Sequence, residues 1–410
     1  MPNRRMGADT AFDLIVVGAG IVGTTLALRL SQGTPGLKVA LISPKPSERG
    51  APEETFDPRV VALTAASREL LTGLNIWPSV ERVRACPYTA MHVWDGEGGG
   101  EIDFSAAELG VEALGHIVEN RLLVASLERE LETQGVTWIS GQVTALEHEG
   151  DAVAGVLLAD GTEVRAALTL AADGARSALR DMAGLAVREW SYGQSAIVTT
   201  VKTTQSHNFT ARQRFMHTGP LAFLPLVSAP GECAPRYSSI VWSADEPLAQ
   251  SLMALSDADF GKRLGRDFEY RLGEIEQVAK RYCLPLTQRH ARRYTCPGFA
   301  LVGDAAHSIH PLAGQGVNLG LLDVAALAGE IERARERGVA LQHDSILARY
   351  ERARRGHNLT MMAAMESFKR LFGARDLRLL WLRNRALSAA DSLPLLKNTL
   401  AREAMGLSLS

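Results

Sequence analysis

The feature that most restricts this chain is a glycine pattern near its start: Gly18, Gly20 and Gly23, within FDLIVVGAGIVGTTLALRL at residues 12–30. Residues 14–17 (LIVV) form a short unbroken apolar run, as expected of a strand buried on both faces. A helical pattern follows over residues 22–30, and residues 38–42 (KVALI) read as a second strand. Strand, glycine turn, helix and strand in that order make a βαβ unit. The first glycine permits the tight turn, the second lets a pyrophosphate approach the backbone, and the third lets helix and strand pack closely. Free N–H groups and the dipole at the helix start favour the phosphate charge. The pattern alone also fits a plain βα turn; its place between strand and helix is what points to a dinucleotide. An acidic residue is expected about twenty positions on, to bind ribose hydroxyls. The matching position holds Ser43, whose hydroxyl can bond a ribose but carries no charge.

A second glycine-rich segment, LVGDAAHSIHPLAGQGVNLG, occupies residues 301–320. A strand ends at Val302 and Gly303-Asp304 follows, so the aspartate can accept from a sugar or ribityl hydroxyl, although it could equally cap a helix. Residues 311–316 (PLAGQG) then form a rigid loop that presents backbone N–H groups and a helix start. A flavin ring needs such donors where reduction builds negative charge. His307 and His310 fit structural hydrogen bonding better than proton transfer. Between the two glycine clusters, Asp173-Gly174 follows the apolar run 168–171; alone, it could be only a turn.

With 44 Lys and Arg against 46 Asp and Glu, the chain has no basic field suited to nucleic acid. Cys86, Cys233, Cys283 and Cys296 are scattered without metal-ligand spacing, which suits a reducing compartment and predicts no metal site. The first ten residues are polar and too short for a signal peptide. No stretch of eighteen apolar residues suggests a membrane span. Residues 58–74 read as helix, 91–94 and 102–104 as a hairpin, and 121–134 as an amphipathic helix. A further hairpin is expected at 143–147 and 153–158. Antiparallel strands are expected at 196–201 and 238–242, helix over 257–278, a strand at 299–302 and a helix over 317–334. Helices are expected from there to about Leu407.

Three segments together, at Gly18, Asp173 and Asp304, resemble the class A flavoprotein aromatic hydroxylases, of the p-hydroxybenzoate hydroxylase fold. GDAAHSIHPLAGQGVNLGLLD resembles the signature of the ubiquinone-biosynthesis hydroxylases. Asp57-Pro-Arg59, Glu119-Asn120-Arg121, Gln213-Arg214-Phe215 and Arg402-Glu-Ala-Met-Gly406 agree with it, so the resemblance spans nearly the whole chain. It implies an α/β fold: a Rossmann-like FAD-binding domain, an inserted antiparallel β-sheet substrate domain and C-terminal helices. Residues 11–84, 117–187 and 289–365 would form the FAD domain, 85–116 and 188–288 the substrate domain, and 366–410 the helical end.

By the same resemblance, Gly18, Gly20 and Gly23 hold the FAD pyrophosphate, and Arg121 contacts its phosphates or ribityl chain. Asp173 serves FAD and nicotinamide handling, and Gly303-Asp304 binds the ribityl or pyrophosphate region. Pro311, Gly314, Gln315 and Gly316 line the isoalloxazine, with Asn318 close by. Arg59 lies near the flavin, as do Pro311 and His310 as further candidates, and no covalent nucleophile is expected. Ser43 departs from the family's acidic residue. The implied chemistry is NAD(P)H-driven ring hydroxylation of a polyprenylated phenol or quinone precursor of ubiquinone, through a flavin C4a-hydroperoxide formed with O2. FAD is tightly bound and NADH or NADPH transient. Phe215, Leu224 and Pro225, with Met216 or His217, are expected around the substrate. A soluble cytoplasmic protein is expected, and the resemblance, with its lipid substrate, implies peripheral contact with the inner face of the membrane and a ubiquinone-biosynthetic complex. The basic, amphipathic residues 369–400 suit an anionic lipid surface, or packing on a partner. An FAD-dependent dehydrogenase or reductase acting on a prenylated lipid, or a flavin-binding subunit, is the alternative.

Overall fold

The computed structural model describes residues 11–44, 55–308 and 316–373. The βαβ unit is present: strand Ala11–Val17, helix Ile21–Gly33 and strand Val39–Ser43, the two strands pairing in parallel. Strands Thr137–Ser140, Val39–Ser43, Ala11–Val17, Glu163–Ala171 and Phe299–Leu301 lie side by side in that order, all parallel. Chain order therefore runs outward from Ala11–Val17 to one side and later to the other. The reversal point lies between Ala11–Val17 and Glu163–Ala171, and a ligand crevice opens there at the strands' C-terminal ends. Leu14, Ile15, Leu26, Leu28, Leu41 and Leu170 are fully buried between the sheet and its helices. Such side chains contribute roughly 1.5–3 kcal/mol each by leaving water.

A second sheet is mostly antiparallel and has nine strands among the described residues. Its long strand Val187–Thr203 pairs with Tyr237–Asp245 on one side and Tyr282–Ala291 on the other. Side chains alternate across it. Ile197, Leu221, Phe223, Ile240 and Trp242 face the helices Glu246–Ala254 and Asp257–Asp267, where Phe260 and Leu264 are fully buried. Ala196, Val198, Ala222, Leu224 and Val241 point the other way, into a cavity. A small sheet of Val60–Leu63, Gly115–Glu119 and Ala85–Tyr88 stands between the large ones, packing Ala62, Cys86 and Ile117 against Leu224 and Leu226.

Some segments fold differently from what their local sequence pattern predicts. Residues 58–74 are not one helix: Val60–Leu63 is a strand paired with Gly115–Glu119, and the helix is Ala65–Gly73, capped by the Thr64 hydroxyl. The helix expected over 257–278 stops at Asp267. Glu269 and Tyr270 take positive φ (56° and 51°), which breaks the helix, and Ile275–Val278 pairs with Val201–Thr203. Helix Asp344–Gly373 follows Gly316–Glu336; residues 374–410, with most of the basic amphipathic stretch, lie outside the described residues.

Candidate functional site

Three loops leave the parallel strands side by side, stitched by backbone hydrogen bonds. Gly18 N donates to Ile42 O at 2.8 Å, Ala172 N to Val17 O at 2.8 Å, and Val302 N to Ala171 O at 2.9 Å. The glycine turn, Asp173 and the Gly303-Asp304 pair, distant in sequence, thus share one edge. Ser43 ends the neighbouring strand, on the opposite side of the glycine turn from Asp173.

The three glycines of the first motif differ in what they face. Gly18 has φ +106°, and a Cβ there would lie 2.4 Å from Ala172 O. At Gly23 a Cβ would lie 1.9 Å from Gly18 O, so helix and strand touch at that residue. At Gly20, extended at the helix N-terminus, a Cβ would meet no atom of the described residues within 4 Å. Internal packing explains the first and third glycines but not the second. The absence of a side chain at Gly20 suits close approach of a phosphate group to the helix start. Asp173 adds a second sign: Oδ2 accepts from Leu179 N at 3.2 Å, while Oδ1 is buried without a partner among the described residues. A ligand hydroxyl or N–H would satisfy it.

Gly303–Ala305 form a single tight turn in which Gly303 has φ +62°. Asp304 is exposed while Gly303, Ala305, Ala306 and His307 are buried, so the turn directs one carboxylate outward. Arg180, 4% exposed, ties this turn to the Asp173 loop: its Nη1 donates to Ala305 O at 3.1 Å and Ala175 O at 3.3 Å. Arg180 is not among the residues that the sequence motifs single out; its one signal there is its place seven residues after Asp173.

Arg59 and Arg121 belong to another junction. Asp57 accepts from Arg59 N at 3.0 Å and Arg121 N at 2.8 Å, locking the 55–59 segment to the start of helix Asn120–Thr133. Arg121 Nη2 also donates to Thr55 O at 3.3 Å. Glu119, 3% exposed, accepts from Asp57 N at 2.7 Å and pairs with Arg84 at 2.8 Å. Burial nevertheless pushes its carboxyl up, against those hydrogen bonds and charges. The Arg59 guanidinium has no partner among the described residues, and Arg59 lines the cavity.

That cavity, of about 530 Å³, joins the two halves of the protein. Asp304, Arg59 and Asn120 lie on its polar side, and Val198, Leu224, Val241 and Leu286 on its apolar side. Tyr282 (38% exposed) and Leu284 (44% exposed) also line it. Of the residues expected around a substrate, Leu224 is there. Phe215 instead packs with Val93 and Ile102, and Met216 against the helix-facing core. His217 bonds Glu97 at 2.8 Å on the surface. Strand Thr210–Met216 lies beyond Gly219–Leu226 from the cavity, which is why its side chains miss it.

Asn318 is 3% exposed and its amide is committed within the protein. Nδ2 donates to Ala62 O at 2.7 Å, and Oδ1 accepts from Thr64 N at 3.1 Å and Ser67 Oγ at 2.7 Å. It fastens the start of helix Gly316–Glu336 to the segment after Val60–Leu63. His307 is buried against Asp323 at 2.6 Å, the structural role expected of it. His310, Pro311, Gly314 and Gln315 lie outside the described residues; Gly316 opens the helix. Among the described residues no group of three or more His, Cys, Asp or Glu could hold a metal ion.

The sequence profile of the FAD binding domain family matches residues 11–364. The 3-demethoxyubiquinol 3-hydroxylase of Escherichia coli (strain K12) is 37% identical over 397 residues, covering 96% of this chain and 98% of the relative. The ubiquinone hydroxylase UbiL of Rhodospirillum rubrum is 36% identical over 401 residues, covering 97% and 90%. Among solved structures, p-nitrophenol 4-monooxygenase PnpA from Pseudomonas putida DLL-E4 shares the fold, with TM-score 0.75 at 19% identity, over 97% of this chain and 98% of that one. The outward-running parallel sheet, the two glycine turns at its edge and the inserted antiparallel sheet are thus those of a known flavoprotein architecture. The chain belongs to the FAD binding domain family and, within it, to the ubiquinone-biosynthesis hydroxylases of the class A flavoprotein monooxygenases.

Proposed function

We propose that the protein is an FAD-dependent monooxygenase that hydroxylates the aromatic ring of a polyprenylated phenol or quinone precursor of ubiquinone, using NADH or NADPH and O2. The observation that carries this reading is the cavity that sets Asp304 and Arg59, from the dinucleotide side, against the apolar face of the second sheet. An aromatic ring fits such a wall, and the polar side gives its oxygens partners.

The residues present suit FAD. Backbone N–H groups at the start of helix Ile21–Gly33 would take the pyrophosphate over Gly18, Gly20 and Gly23. Asp173, Asp304 and Ser43 offer acceptors for ribose or ribityl hydroxyls, and Arg59 and Arg121 offer positive charge to the phosphates or the ring. Gly303, Gly316 and Asn318 fix the backbone on either side of residues 309–315, which lie outside the described residues and carry the remaining candidates His310, Pro311, Gly314 and Gln315. Bound FAD supplies the redox chemistry, passing electrons from NAD(P)H to O2. The chain would position and desolvate: Val198, Val241 and Leu286, which line the cavity with Arg59, would exclude water from a bound ring and so strengthen the electrostatic pull of Arg59.

Exposed Tyr282 and Leu284 offer an apolar path by which a polyprenyl tail could leave the cavity. Among the described residues no helix is long and apolar enough to cross a membrane. We place the protein in the cytoplasm, peripheral on the inner face of the membrane that holds its substrate, and in contact with other enzymes of the pathway.

Incubation of the purified protein with NADH or NADPH, a short-chain prenylated demethoxyubiquinol and ¹⁸O2 tests the reading. The product should gain one labelled oxygen atom. NAD(P)H oxidation independent of O2, with no labelled product, would make the protein a dehydrogenase or reductase instead.

A further inference from the structure

Behind the Gly303–Ala305 turn lies a buried polar cluster to which no motif assigned a role. Asp323, on helix Gly316–Glu336, is fully buried. Its Oδ2 accepts from Gly303 N at 3.0 Å and from His307 Nε2 at 2.6 Å. Its Oδ1 accepts from Arg354 Nε at 2.7 Å and from Asn358 Nδ2 at 3.4 Å. Arg354, 4% exposed, also donates to Leu319 O at 3.4 Å and Asn358 Oδ1 at 3.0 Å. Asn358 continues to Tyr294, whose hydroxyl meets His290 at 3.0 Å. Burial works to raise the Asp323 pKa, but the charges and hydrogen bonds of His307 and Arg354 outweigh it and hold the carboxyl down at about 2. Asp323 is therefore ionised, which makes His307 Nε2 the donor.

A charge this deep costs several kcal/mol to desolvate, and the cost is offset only because every oxygen is matched. A neutral acceptor could have served a lone N–H. The carboxylate sits where one oxygen fixes a backbone turn and the other is braced from helix Asp344–Gly373. The fixed residue, Gly303, is left-handed (φ +62°) and immediately precedes the exposed Asp304. His307, fixed by the same oxygen, pairs through its backbone with His290 on strand Tyr282–Ala291, which also lines the cavity.

We infer that Asp323, braced by Arg354 and His307, is a positioning residue for cofactor binding: it holds Gly303 so that Asp304 meets the flavin nucleotide. The inference rests on the reading that Asp304 contacts FAD. Asp323 acts on FAD only through the turn, so its effect must vanish when Asp304 cannot make its contact.

The test is a double-mutant cycle on FAD affinity, measured by quenching of flavin fluorescence on titration of apoprotein, with melting of each apoprotein recorded in parallel. Asp304→Ala should weaken FAD about tenfold or more, the loss of a hydrogen bond to a charged group. Asp323→Asn should weaken it about tenfold alone, yet less than about twofold further in the Asp304→Ala background. A purely structural Asp323 would lower the melting temperature and add its full effect in both backgrounds, which overturns the inference; so does undiminished affinity in Asp323→Asn. If Asp323→Asn does not fold, His307→Gln carries the same cycle, with a smaller loss and the same non-additivity expected. Undiminished FAD binding by Asp304→Ala is a distinct result: it removes the reading of Asp304, and the inference with it.

Discussion

Gly20 and Gly23 belong to one motif, yet the structure assigns their substitutions opposite consequences. In Gly23→Ala the new Cβ lies 1.9 Å from Gly18 O and 3.1 Å from Ala172 Cβ. A backbone oxygen cannot rotate away, so helix Ile21–Gly33 must move off its strand. Overpacking of this kind costs about 1–3 kcal/mol or more, and it falls on the apoprotein itself. In Gly20→Ala the Cβ meets no atom of the described residues within 4 Å, and φ −75° suits any residue. Alanine is the poorer N-cap by about 0.5–1 kcal/mol, and restriction of the unfolded chain returns about 0.4–1 kcal/mol, so apoprotein stability should change little. FAD should bind about a hundredfold more weakly, ~2.7 kcal/mol, because the methyl group holds the pyrophosphate off one or two charge-assisted N–H bonds. Urea unfolding of apoproteins and FAD titration read the two effects separately. A Gly20→Ala apoprotein destabilised as much as Gly23→Ala, or one that binds FAD as well as the parent, would refute the reasoning.

Val241→Phe, which fills part of the cavity wall, should raise KM for the aromatic substrate several-fold while leaving the flavin spectrum and FAD affinity unchanged; equal losses in both would place the wall against the cofactor instead. His116 is buried against Trp77, and burial, aided by Arg68, pulls its pKa from 6.5 to about 4. Because the folded value is depressed, the stabilisation is full above pH 6.5 and is lost as pH falls towards 4, a span of about 3 kcal/mol. His116→Gln should flatten that limb of the stability curve, measured by urea unfolding across pH. Burial, with a smaller contribution from Glu232, pushes the Cys86 thiol up to about 12, whereas Cys233 and Cys283 are exposed. Ellman's reagent should modify Cys233 and Cys283 quickly in the native protein and reach Cys86 only on unfolding; fast labelling of Cys86 would contradict its placement.

What was legible in the sequence was what local pattern fixes. The apolar run 14–17, the glycines and the run 38–42 dictate strand, turn, helix and strand within a few residues, and the structure has them there. Strand Val60–Leu63 was not legible. Its four residues are held by Gly115–Glu119, far along the chain, and the helical pattern of residues 65–73 spread over them. The break at Glu269 and Tyr270 was hidden for a related reason, since neither is glycine and the strand that follows finds its partner at Val201–Thr203. At the candidate site, Asp173 and Asp304 were legible because each sits beside a glycine after an apolar run, and Gly18 because it opens the glycine pattern. Asp323 ended the quoted signature but drew no role, because its meaning depends on His307, on Gly303 and on Arg354 in another helix. Phe215 was misplaced because adjacent strands of one sheet look alike in sequence, and only the strand order tells which borders the cavity.

The most direct measurement is the flavin content of the protein as purified, with the heat-shift of apoprotein on adding FAD. One FAD per chain, a visible flavin spectrum and a raised melting temperature are expected from a pyrophosphate seated on the turn at Gly20 and a ribityl chain at Asp304. A colourless protein whose melting is indifferent to FAD would contradict the account at its root.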